Sequence, residues 1–592
     1  MNRRIFIRKT GLAVGGLMTL SSCGTPITAA RRIRWTQEGG LFTSVTCDGH
    51  PMAQAQPLLK ATCRTAGENA PAGPWHAAVE HRLRDSGKGA GEDVLEVMLT
   101  VRNTSDRPQR AELEFSTPAR PSPRVEEQRV YLPLSAAALL QDKRFAALGV
   151  EFFLKNNDQP VGTNNFAAHY LEPMASFPAE LKTRALLLAP VVDISHPRAP
   201  WHVALFTPSG QPMRFSSSGG NWHAGRQVTI AAGETFAQFC WLMVHTGDAS
   251  RAWKAFHRLA HREDFPVPHW VREVRTHYFD FLSAAAGAAG WRGDGYDADQ
   301  PHFREFRVGM ATQHGYYPSI GDYIQPDRKS WLAMRGDKAG PAQMSLEKMR
   351  ARIKSARAAG ARAAVYMHAA LFDDAAPYFK EMRDCVTVDG QGRAMSFGWQ
   401  GPDSAGRTWR GSLASPRWRA HLLQQARWIM ELLSPDAIVV DETFAGLGYD
   451  YHPGHAGPLS TGAIEFFRNL RALVRSFGND RAVFGSDCSM SGFVMWLDGE
   501  CGDHAYEHLL GHPLYAQPPV RYLAALGGKP WLPCAWDFQK MWDAQMKLAR
   551  QTGAGVGVSN GWLEYTGLAR LPGSVKSKMI ADIKSLLAYP VS

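Results

Sequence analysis

The sequence predicts a multidomain β + α/β protein, in which an N-terminal β-sandwich precedes a (β/α)8 barrel of the TIM type. The first observation is a series of short segments in residues 31–247 that alternate apolar and polar residues between turns rich in Gly, Pro and Ser. The second is a change near residue 270 to apolar runs that alternate with helical segments, which is typical of a parallel sheet. We place a linker helix at 248–269 and the barrel at 270–592.

The N-terminal half is predicted to be a sandwich of many short strands. Its clearest strand is DVLEVMLTVRN at 93–103, which alternates apolar and polar residues, and a hairpin partner follows at 111–115. Further candidate strands are 183–192, 202–206, 227–230 and 236–245. The sequence shows no catalytic cluster here, so we expect this half to give structural support.

The C-terminal half contains seven recognisable barrel strands, at 275–281, 361–368, 437–440, 481–484, 493–497, 529–535 and 555–558. Helices are predicted at 345–359, 415–433, 464–477 and 539–551. An eight-stranded barrel needs one more strand, and we expect it within 284–344, at 309–317 or 321–324.

The stretch SPDAIVVDETF at 434–444 is the most informative part of the barrel. Its apolar run ends at Asp441 and Glu442, where the C-terminal end of a strand would meet an active site. We interpret Asp441 as a catalytic carboxylate and Glu442 as a helper that contacts substrate. The alternative is that Asp441 caps the next turn and Glu442 lies on the surface.

Acidic and aromatic side chains gather at the predicted strand ends. The acids are Asp280, Asp441, Glu442, Asp487, Asp498, Glu500 and Asp537. The side chains suited to contact a sugar are Tyr278, Trp496, Trp536, His368 and His504. Two carboxylates on one rim can attack or activate water at an anomeric carbon and protonate the leaving oxygen, so the pattern predicts a glycoside hydrolase acting on a carbohydrate.

The order of motifs in the barrel resembles a known family. DCVTVDGQGRAMSFG at 384–398, the helix that begins at Ser415-Pro416 and the strand PDAIVVDETF at 435–444 are similar to TIM-barrel glycoside hydrolases of the α-galactosidase (melibiase-like) type. That resemblance implies an N-terminal β-sandwich, Asp441 as the nucleophile, and Asp498 or Glu500 as the acid/base. The chain departs from the family at Val439, where a Lys precedes the nucleophile by two residues in the family.

The first 23 residues are typical of an export signal. A basic segment with Arg3-Arg4 resembles the twin-arginine motif, and Leu20-Ser21-Ser22-Cys23 resembles a lipobox. We therefore expect a twin-arginine lipoprotein that carries lipid on Cys23 and lies in the periplasm or on the outer membrane or cell surface. With Cys23 lipidated, seven of the eight cysteines remain, an odd number that does not indicate a disulfide framework.

Composition excludes other classes of function. Hydrophobic residues make up 45% of the chain and charged residues 20%, which is typical of a globular protein. The formal charge is +11, but the basic residues are scattered, so nucleic acid is not an expected partner. No CxxC zinc pattern and no convincing cofactor motif is present, so we predict no cofactor and no metal.

Two other functions remain open from the sequence. A metal-dependent hydrolase on the same barrel would use histidines such as His452 and His455, or His504, His508 and His512. A non-catalytic glycan-binding lipoprotein would keep the aromatic residues and lack one of the two carboxylates.

Overall fold

A computed structural model provides the structure of the chain. It describes residues 33–47, 50–55, 57–66, 73–85, 93–119, 129–131, 185–187, 191–195, 201–209, 213–218, 221–246, 250–280, 295–333, 343–396, 406–441, 443, 449–486, 493–501, 529–532, 538–559 and 567–588. The predicted leader with Cys23 lies outside the described residues, as do Glu442, Asp487, Asp537, His504 and Trp536.

Fourteen described strands form antiparallel sheets in the first half of the chain. They are β1 (Ile33–Glu38), β2 (Leu41–Cys47), β3 (His50–Gln54), β4 (Lys60–Thr65), β5 (Trp75–Asp85), β6 (Asp93–Asn103), β7 (Gln109–Thr117), β8 (Arg129–Tyr131), β9 (Ala185–Leu187), β10 (Val191–Ser195), β11 (Trp201–Phe206), β12 (Met213–Ser218), β13 (Asn221–Ile230) and β14 (Thr235–Thr246). The two larger sheets have the orders β5-β6-β14-β11-β10-β8 and β4-β7-β13-β12-β9, and β1, β2 and β3 form a third.

The alternating segment at 93–103 forms β6, with the predicted bounds. Its apolar residues Val94, Leu95, Val97, Leu99 and Val101 are fully buried. β6 pairs with β5 on one side and β14 on the other, so it is an interior strand of its sheet. Burying five such side chains contributes on the order of 8–15 kcal/mol before the entropy of ordering the chain is subtracted.

The second half of the chain combines a parallel sheet with helices. The remaining described strands are β15 (Thr276–Asp280), β16 (Met310–Gln313), β17 (Ser330–Leu332), β18 (Gln343–Ser345), β19 (Arg362–His368), β20 (Leu371–Asp373), β21 (Thr408–Arg410), β22 (Ala437–Asp441), β23 (Tyr449–Asp450), β24 (Gly457–Pro458), β25 (Ala482–Gly485), β26 (Gly499–Glu500) and β27 (Val556–Ser559). The described helices are α1 (Ser250–Leu259), α2 (His269–Glu273), α3 (Gly295–Asp299), α4 (Leu346–Ala358), α5 (Pro416–Leu433), α6 (Leu459–Arg475), α7 (Phe538–Thr552) and α8 (Gly573–Ala588).

Seven strands form the parallel sheet, in the order β26-β25-β22-β19-β16-β15-β27. Both edges of this sheet bond to residues 530–532. The N–H of Glu500 donates to the carbonyl of Pro530 at 3.0 Å, and the N–H of Gly555, just before β27, donates to that of Trp531 at 2.8 Å. The sheet is therefore curled, and the predicted mixed β and α/β class is confirmed.

One predicted barrel strand is found in the parallel sheet and another is not. The strand expected within 309–317 is β16, paired on both sides in the parallel sheet. The strand predicted at 493–497 is wrong, because residues 493–496 form a 3-10 turn and the strand begins at Gly499. The apolar run FVMWL misled the prediction, since buried turns and buried strands share that composition.

The sequence around helix α5 explains how the chain enters β22. Ser415 caps the helix, since its Oγ accepts the N–H of Trp418 at 3.4 Å, and Pro416 occupies the first turn, where its missing N–H costs nothing. The helix ends at Ser434, whose φ of 49° turns the chain back towards the sheet. The apolar run 437–440 is then fully buried. Among the described residues, no helix is long and apolar enough to cross a bilayer.

Candidate active site at the end of strand β22

Asp441 is the last residue of β22 and is partly exposed. In the sheet, His368 pairs with Asp441 and Tyr366 pairs with Val439. Paired residues of a parallel ladder point to the same face and consecutive residues to opposite faces, so Tyr366, His368 and Asp441 share one face. We call this the Asp441 face.

Two hydroxyl groups hold the Asp441 carboxylate. The Tyr366 hydroxyl donates to Oδ2 at 2.6 Å, from β19. The Ser486 hydroxyl donates to Oδ1 from the end of β25, on the other side of β22. Each oxygen therefore receives a hydrogen bond from a different neighbouring strand. This arrangement fixes the carboxylate direction and favours its ionised form.

Tyr366 is itself held by a cluster of rings on the Asp441 face. Its ring meets His314 edge-on with centroids 4.1 Å apart, and it stacks on Tyr317 at 5.8 Å with an interplanar angle of 14°. The Tyr317 hydroxyl lies 3.3 Å from Nε2 of His314. Burial, and then the neighbouring Asp441 carboxylate, raise the pKa of Tyr366 well above its ordinary value. Tyr366 therefore keeps its proton and acts as a donor.

His368 ends β19 beside Asp441. Its Nδ1 accepts the backbone N–H groups of Ala370 at 3.2 Å and Leu371 at 3.0 Å, so in the neutral ring the proton lies on Nε2. Its own backbone N–H donates to the Tyr323 hydroxyl at 2.7 Å. The prediction that His368 can donate to a sugar hydroxyl is compatible with this tautomer.

Asp498 lies in a different environment from Asp441. Its Oδ1 accepts from Arg471 Nη2 at 2.7 Å and from Arg475 Nη2 at 2.6 Å, and its Oδ2 accepts the N–H of Val483 at 2.9 Å. The two arginines belong to α6, so the carboxylate of Asp498 faces that helix. One oxygen is therefore occupied by the two arginines and the other by a backbone N–H.

Glu500 is fully buried at the end of β26. Val440 pairs with Gly485, and Gly485 pairs with Glu500. Glu500 therefore shares the face of Val440, opposite to the Asp441 face. The backbones of Val440 and Glu500 lie two strands apart, about 10 Å. The register thus does not bring Glu500 and Asp441 onto one face.

Tyr278 and Asp280 are also on the face opposite Asp441. Phe279 pairs with Thr312, which in turn pairs with Ala364. Ala364 lies two residues before Tyr366, so Phe279 shares the Asp441 face and its neighbours Tyr278 and Asp280 point away from it. The Tyr278 hydroxyl donates to Asp299 at 3.0 Å, and its ring packs on Phe303. The Asp280 charge acts on Tyr296 and Arg352, which belong to α3 and α4. Trp496 is buried, with its ring 6.4 Å from that of His261.

The histidines of the loop after β22 support its backbone. Asp450 is buried and accepts the N–H groups of Val388 and His452, each at 2.9 Å. His455 Nε2 lies 2.9 Å from Asp450, and the rings of His452 and His455 stack at 4.2 Å. Among the described residues, only Asp193, His202 and His245 form a group able to hold a metal ion, and they lie in the first half of the chain.

Sequence reasoning missed the two hydroxyl donors of Asp441. Tyr366 lies in the predicted strand 361–368, but its position opposite Val439 depends on the pairing of β19 with β22. Ser486 comes two residues after the strand predicted at 481–484, and its bond to Asp441 depends on the pairing of β22 with β25. The signal available for both was their position at a strand end.

Comparison with solved structures shows where this fold recurs. A structure of the GH36 α-galactosidase AgaA from Geobacillus stearothermophilus, in complex with 1-deoxygalactonojirimycin, is 9% identical, matches over 89% of this chain and 73% of its own, and has a TM-score of 0.52. The chain shares its fold with GH36 α-galactosidases. The α-galactosidase of Lactobacillus brevis is 8% identical, with coverage of 96% and 74% and a TM-score of 0.50. The galactosidase domain of the α-galactosidase–sucrose kinase AgaSK is 11% identical, with coverage of 91% and 73% and a TM-score of 0.50.

No family model and no curated protein matches the chain. The resemblance to the α-galactosidase type predicted from residues 384–444 is confirmed at the level of the fold. At these identities the likeness extends to the fold alone.

Proposed function

We propose that the protein is a glycoside hydrolase that acts on α-linked sugars, with Asp441 as its nucleophile. The observation that carries this proposal is the Asp441 carboxylate itself. It stands partly exposed at the C-terminal end of a parallel strand, with each oxygen held by a hydroxyl group from a different neighbouring strand. A carboxylate fixed in this way is suited to attack an anomeric carbon.

In the proposed reaction, Asp441 forms a bond to the anomeric carbon as the bond to the leaving oxygen breaks. A second carboxylic acid donates its proton to that oxygen. The same residue then takes a proton from water, which attacks the glycosyl-enzyme and releases Asp441. Tyr366 and Ser486 remain donors to Asp441 and keep the attacking oxygen aligned.

Of the two residues predicted as proton donor, Glu500 is the better candidate. The oxygens of Asp498 are already occupied by Arg471, Arg475 and the Val483 N–H. Glu500 lies on the face opposite Asp441, so we place it among four acids to be compared. Asp487 and Asp537 follow the strands predicted at 481–484 and 529–535, and Asp503 comes three residues after β26. All three lie outside the described residues.

The substrate class comes from structures that share the fold. One variant of the Geobacillus α-galactosidase AgaA forms a complex with 1-deoxygalactonojirimycin, and a second variant forms a complex with raffinose. We therefore propose an α-galactoside, either free or within an oligosaccharide, as the first substrate to test.

The fold proposed for this activity has two parts. Residues 530–532 would act as the eighth parallel strand and close a (β/α)8 barrel, since they bond to both edges of the sheet. The two larger antiparallel sheets would pack as a sandwich before it. A closed barrel gathers the ends of its strands on one rim, where the predicted acids occur.

Turnover of an aryl α-galactoside by the Asp441→Asn variant tests the proposal. We expect a loss of at least about 1,000-fold in kcat, because the amide is not a nucleophile, while binding of the sugar is retained. Asp389→Asn is the matched control and should keep wild-type activity, because Asp389 is a partly exposed carboxylate bonded to Arg393. Unchanged hydrolysis in Asp441→Asn would overturn the proposal.

The proton donor is identified with Glu500→Gln, Asp487→Asn, Asp503→Asn and Asp537→Asn. Loss of the acid should slow a substrate with a poor leaving group far more than one with a good leaving group, since only the former needs the proton. If Glu500→Gln slows both substrates equally, Glu500 is not the donor.

We also propose export and lipid attachment at Cys23, on the strength of Arg3-Arg4 and Leu20-Ser21-Ser22-Cys23. Labelled palmitate should be incorporated by the full chain and not by Cys23→Ala. Equal labelling of the two chains would contradict the lipobox interpretation.

A further inference from the structure

Three side chains of the six-stranded sheet converge on one point. His202 on β11 pairs directly with His245 on β14. Asp193 on β10 pairs with Ala204, two residues along β11 from His202. Alternate residues of a strand share a face, so all three side chains lie on the same face of three adjacent strands. The ladder hydrogen bonds fix their backbones.

The geometry of this group, which we call the His-Asp-His cluster, is close. Asp193 Oδ2 lies 2.8 Å from His202 Nδ1, and Oδ1 lies 2.9 Å from His245 Nε2. One ligand atom from each residue can be chosen such that all three lie within 4.8 Å of one another. Asp193 and His245 are fully buried, and the His202 side chain is 11% exposed.

The surroundings of Asp193 differ from those of other buried aspartates in the chain. Asp436 accepts the N–H of Ala363 and is paired with Arg357, and Asp450 accepts the N–H of Val388. Within the described part of the chain, the side chain of Asp193 bonds only to imidazole nitrogens. The two imidazoles are therefore the side chains placed to bind a cation together with the Asp193 carboxylate.

We propose that the His-Asp-His cluster binds a divalent transition-metal ion of the zinc class. Two imidazoles and a carboxylate form a donor set that suits Zn²⁺, whereas Ca²⁺ and Mg²⁺ take oxygen ligands. Tetrahedral donors at about 2.0–2.1 Å from one zinc ion are separated by about 3.3–3.4 Å. The O···N separations of 2.8 and 2.9 Å are those of hydrogen bonds, so the side chains would move apart by about half an ångström to admit the ion.

The position of the cluster indicates a structural role. His202, Ala204 and Phe206 share one face of β11, and the Phe206 ring meets that of Phe256 on α1 with centroids 6.3 Å apart. The ion would therefore join three strands beneath the helix that leads into the second half of the chain. The partly exposed His202 marks the side on which water completes the coordination.

Metal counting on the full chain tests the proposal. The protein is produced in medium with added zinc, freed of loose metal by gel filtration, and analysed by mass spectrometry for elements. We expect about one zinc ion per chain. His245→Gln and Asp193→Asn should lose it, while His223→Gln, whose Nδ1 lies 3.3 Å from Glu114 on the other large sheet, should keep it. Wild-type protein without stoichiometric metal would overturn the proposal, as would equal metal in His245→Gln.

A second measurement covers variants that fail to fold. Wild-type protein produced with cobalt in place of zinc should show visible absorption bands of Co²⁺ bound by nitrogen and oxygen, and its unfolding temperature should exceed that of chelator-treated protein. The spectrum of hydrated cobalt alone, with no change in unfolding temperature, would show that hydrogen bonds without a metal ion hold the cluster, and would overturn the proposal.

Discussion

At the scale of single residues, the notable feature is the way Asp441 is held. Val439, two residues before it, is apolar, and the side chain opposite Val439 on the next strand is Tyr366. The donor to the carboxylate thus comes from a neighbouring strand. A hydrogen bond to a charged group contributes about 1.5–3 kcal/mol, so its loss should be measurable in the reaction.

Tyr366→Phe removes this donor and leaves the ring. We expect kcat/KM to fall about 10- to 100-fold, because the ionised carboxylate loses a hydrogen bond and its alignment. The acidic limb of the pH profile should also move to higher pH, since the ionised form is less favoured. The measurement is the pH dependence of kcat/KM on an aryl α-galactoside.

The matched control is Tyr317→Phe, which removes a hydroxyl from the ring stacked on Tyr366 without touching Asp441. Its acidic limb should stay in place. If both variants lose activity and the acidic limb of kcat/KM shifts in neither, the Tyr366 hydroxyl has no role towards Asp441 and the ring contributes packing alone.

At this scale the sequence singles out Asp441 as a candidate but not the side chains that bond to it. A carboxylate directly after a buried strand is a local pattern, so it can be recognised in one stretch of chain. The contact from Tyr366 spans 75 positions and depends on the register of two strands. Asp193, His202 and His245 escaped notice for the same reason, since they are brought together by strands β10, β11 and β14.

At the scale of elements, helix α6 is packed closely against the segment before α5. A Cβ placed on Gly462 would overlap the carbonyl oxygen of Leu413 and come within 2.9 Å of Arg419 Nη1. The glycine therefore lets the helix approach backbone.

Gly462→Ala should lower the free energy of unfolding by about 1–3 kcal/mol, because overpacking outweighs the better helix propensity of Ala. Urea unfolding measures the change. Gly573→Ala, in the first turn of α8, is the control, since its Cβ would meet no atom within 4 Å. A neutral effect at Gly462 would show that α6 can shift without cost.

Long elements were predicted well and short ones poorly. The helix predicted at 415–433 matches α5 because a cap, a proline and a long amphipathic pattern agree. Strand β26 has only two residues. The first is Gly499, where a Cβ would come within 2.7 Å of the Phe484 ring. Two residues carry too little periodicity to be recognised in a sequence.

At the scale of the whole molecule, a buried ionic network joins the segment between α1 and α2 to the parallel sheet. Glu263 pairs with Arg471 at 2.8 Å and with Lys529 at 2.7 Å, and Arg471 also pairs with Asp498. Burial alone would raise the pKa of Glu263, but His261, Lys529 and Arg471 together hold it well below its ordinary value. Burial lowers the pKa of Lys529. Removing Glu263 would leave that ammonium buried without this partner.

Glu263→Gln should destabilise the chain by about 1–3 kcal/mol near neutral pH, a value reduced from that of a fully buried pair because Glu263 is 35% exposed. The pKa of Glu263 is lower in the folded chain than its ordinary value of 4.5, so the ionised carboxylate stabilises the fold. This stabilisation is complete above pH 4.5 and is lost as the pH falls towards the pKa in the folded chain. The difference between wild type and variant should therefore shrink below about pH 4.5. Thermal unfolding at pH 7, 5 and 4 measures it, and a constant difference would contradict the assignment.

The two hydrogen bonds to the Asp441 carboxylate bear on how the enzyme would lose activity on heating. β22 lies inside the parallel sheet, and the hydroxyls that fix its carboxylate arrive from β19 and β25, its two neighbours. The position of the Asp441 carboxylate therefore depends on three neighbouring strands. Heating should displace this carboxylate only when the parallel sheet itself unfolds, so the placement of the nucleophile should persist up to the unfolding temperature of the sheet.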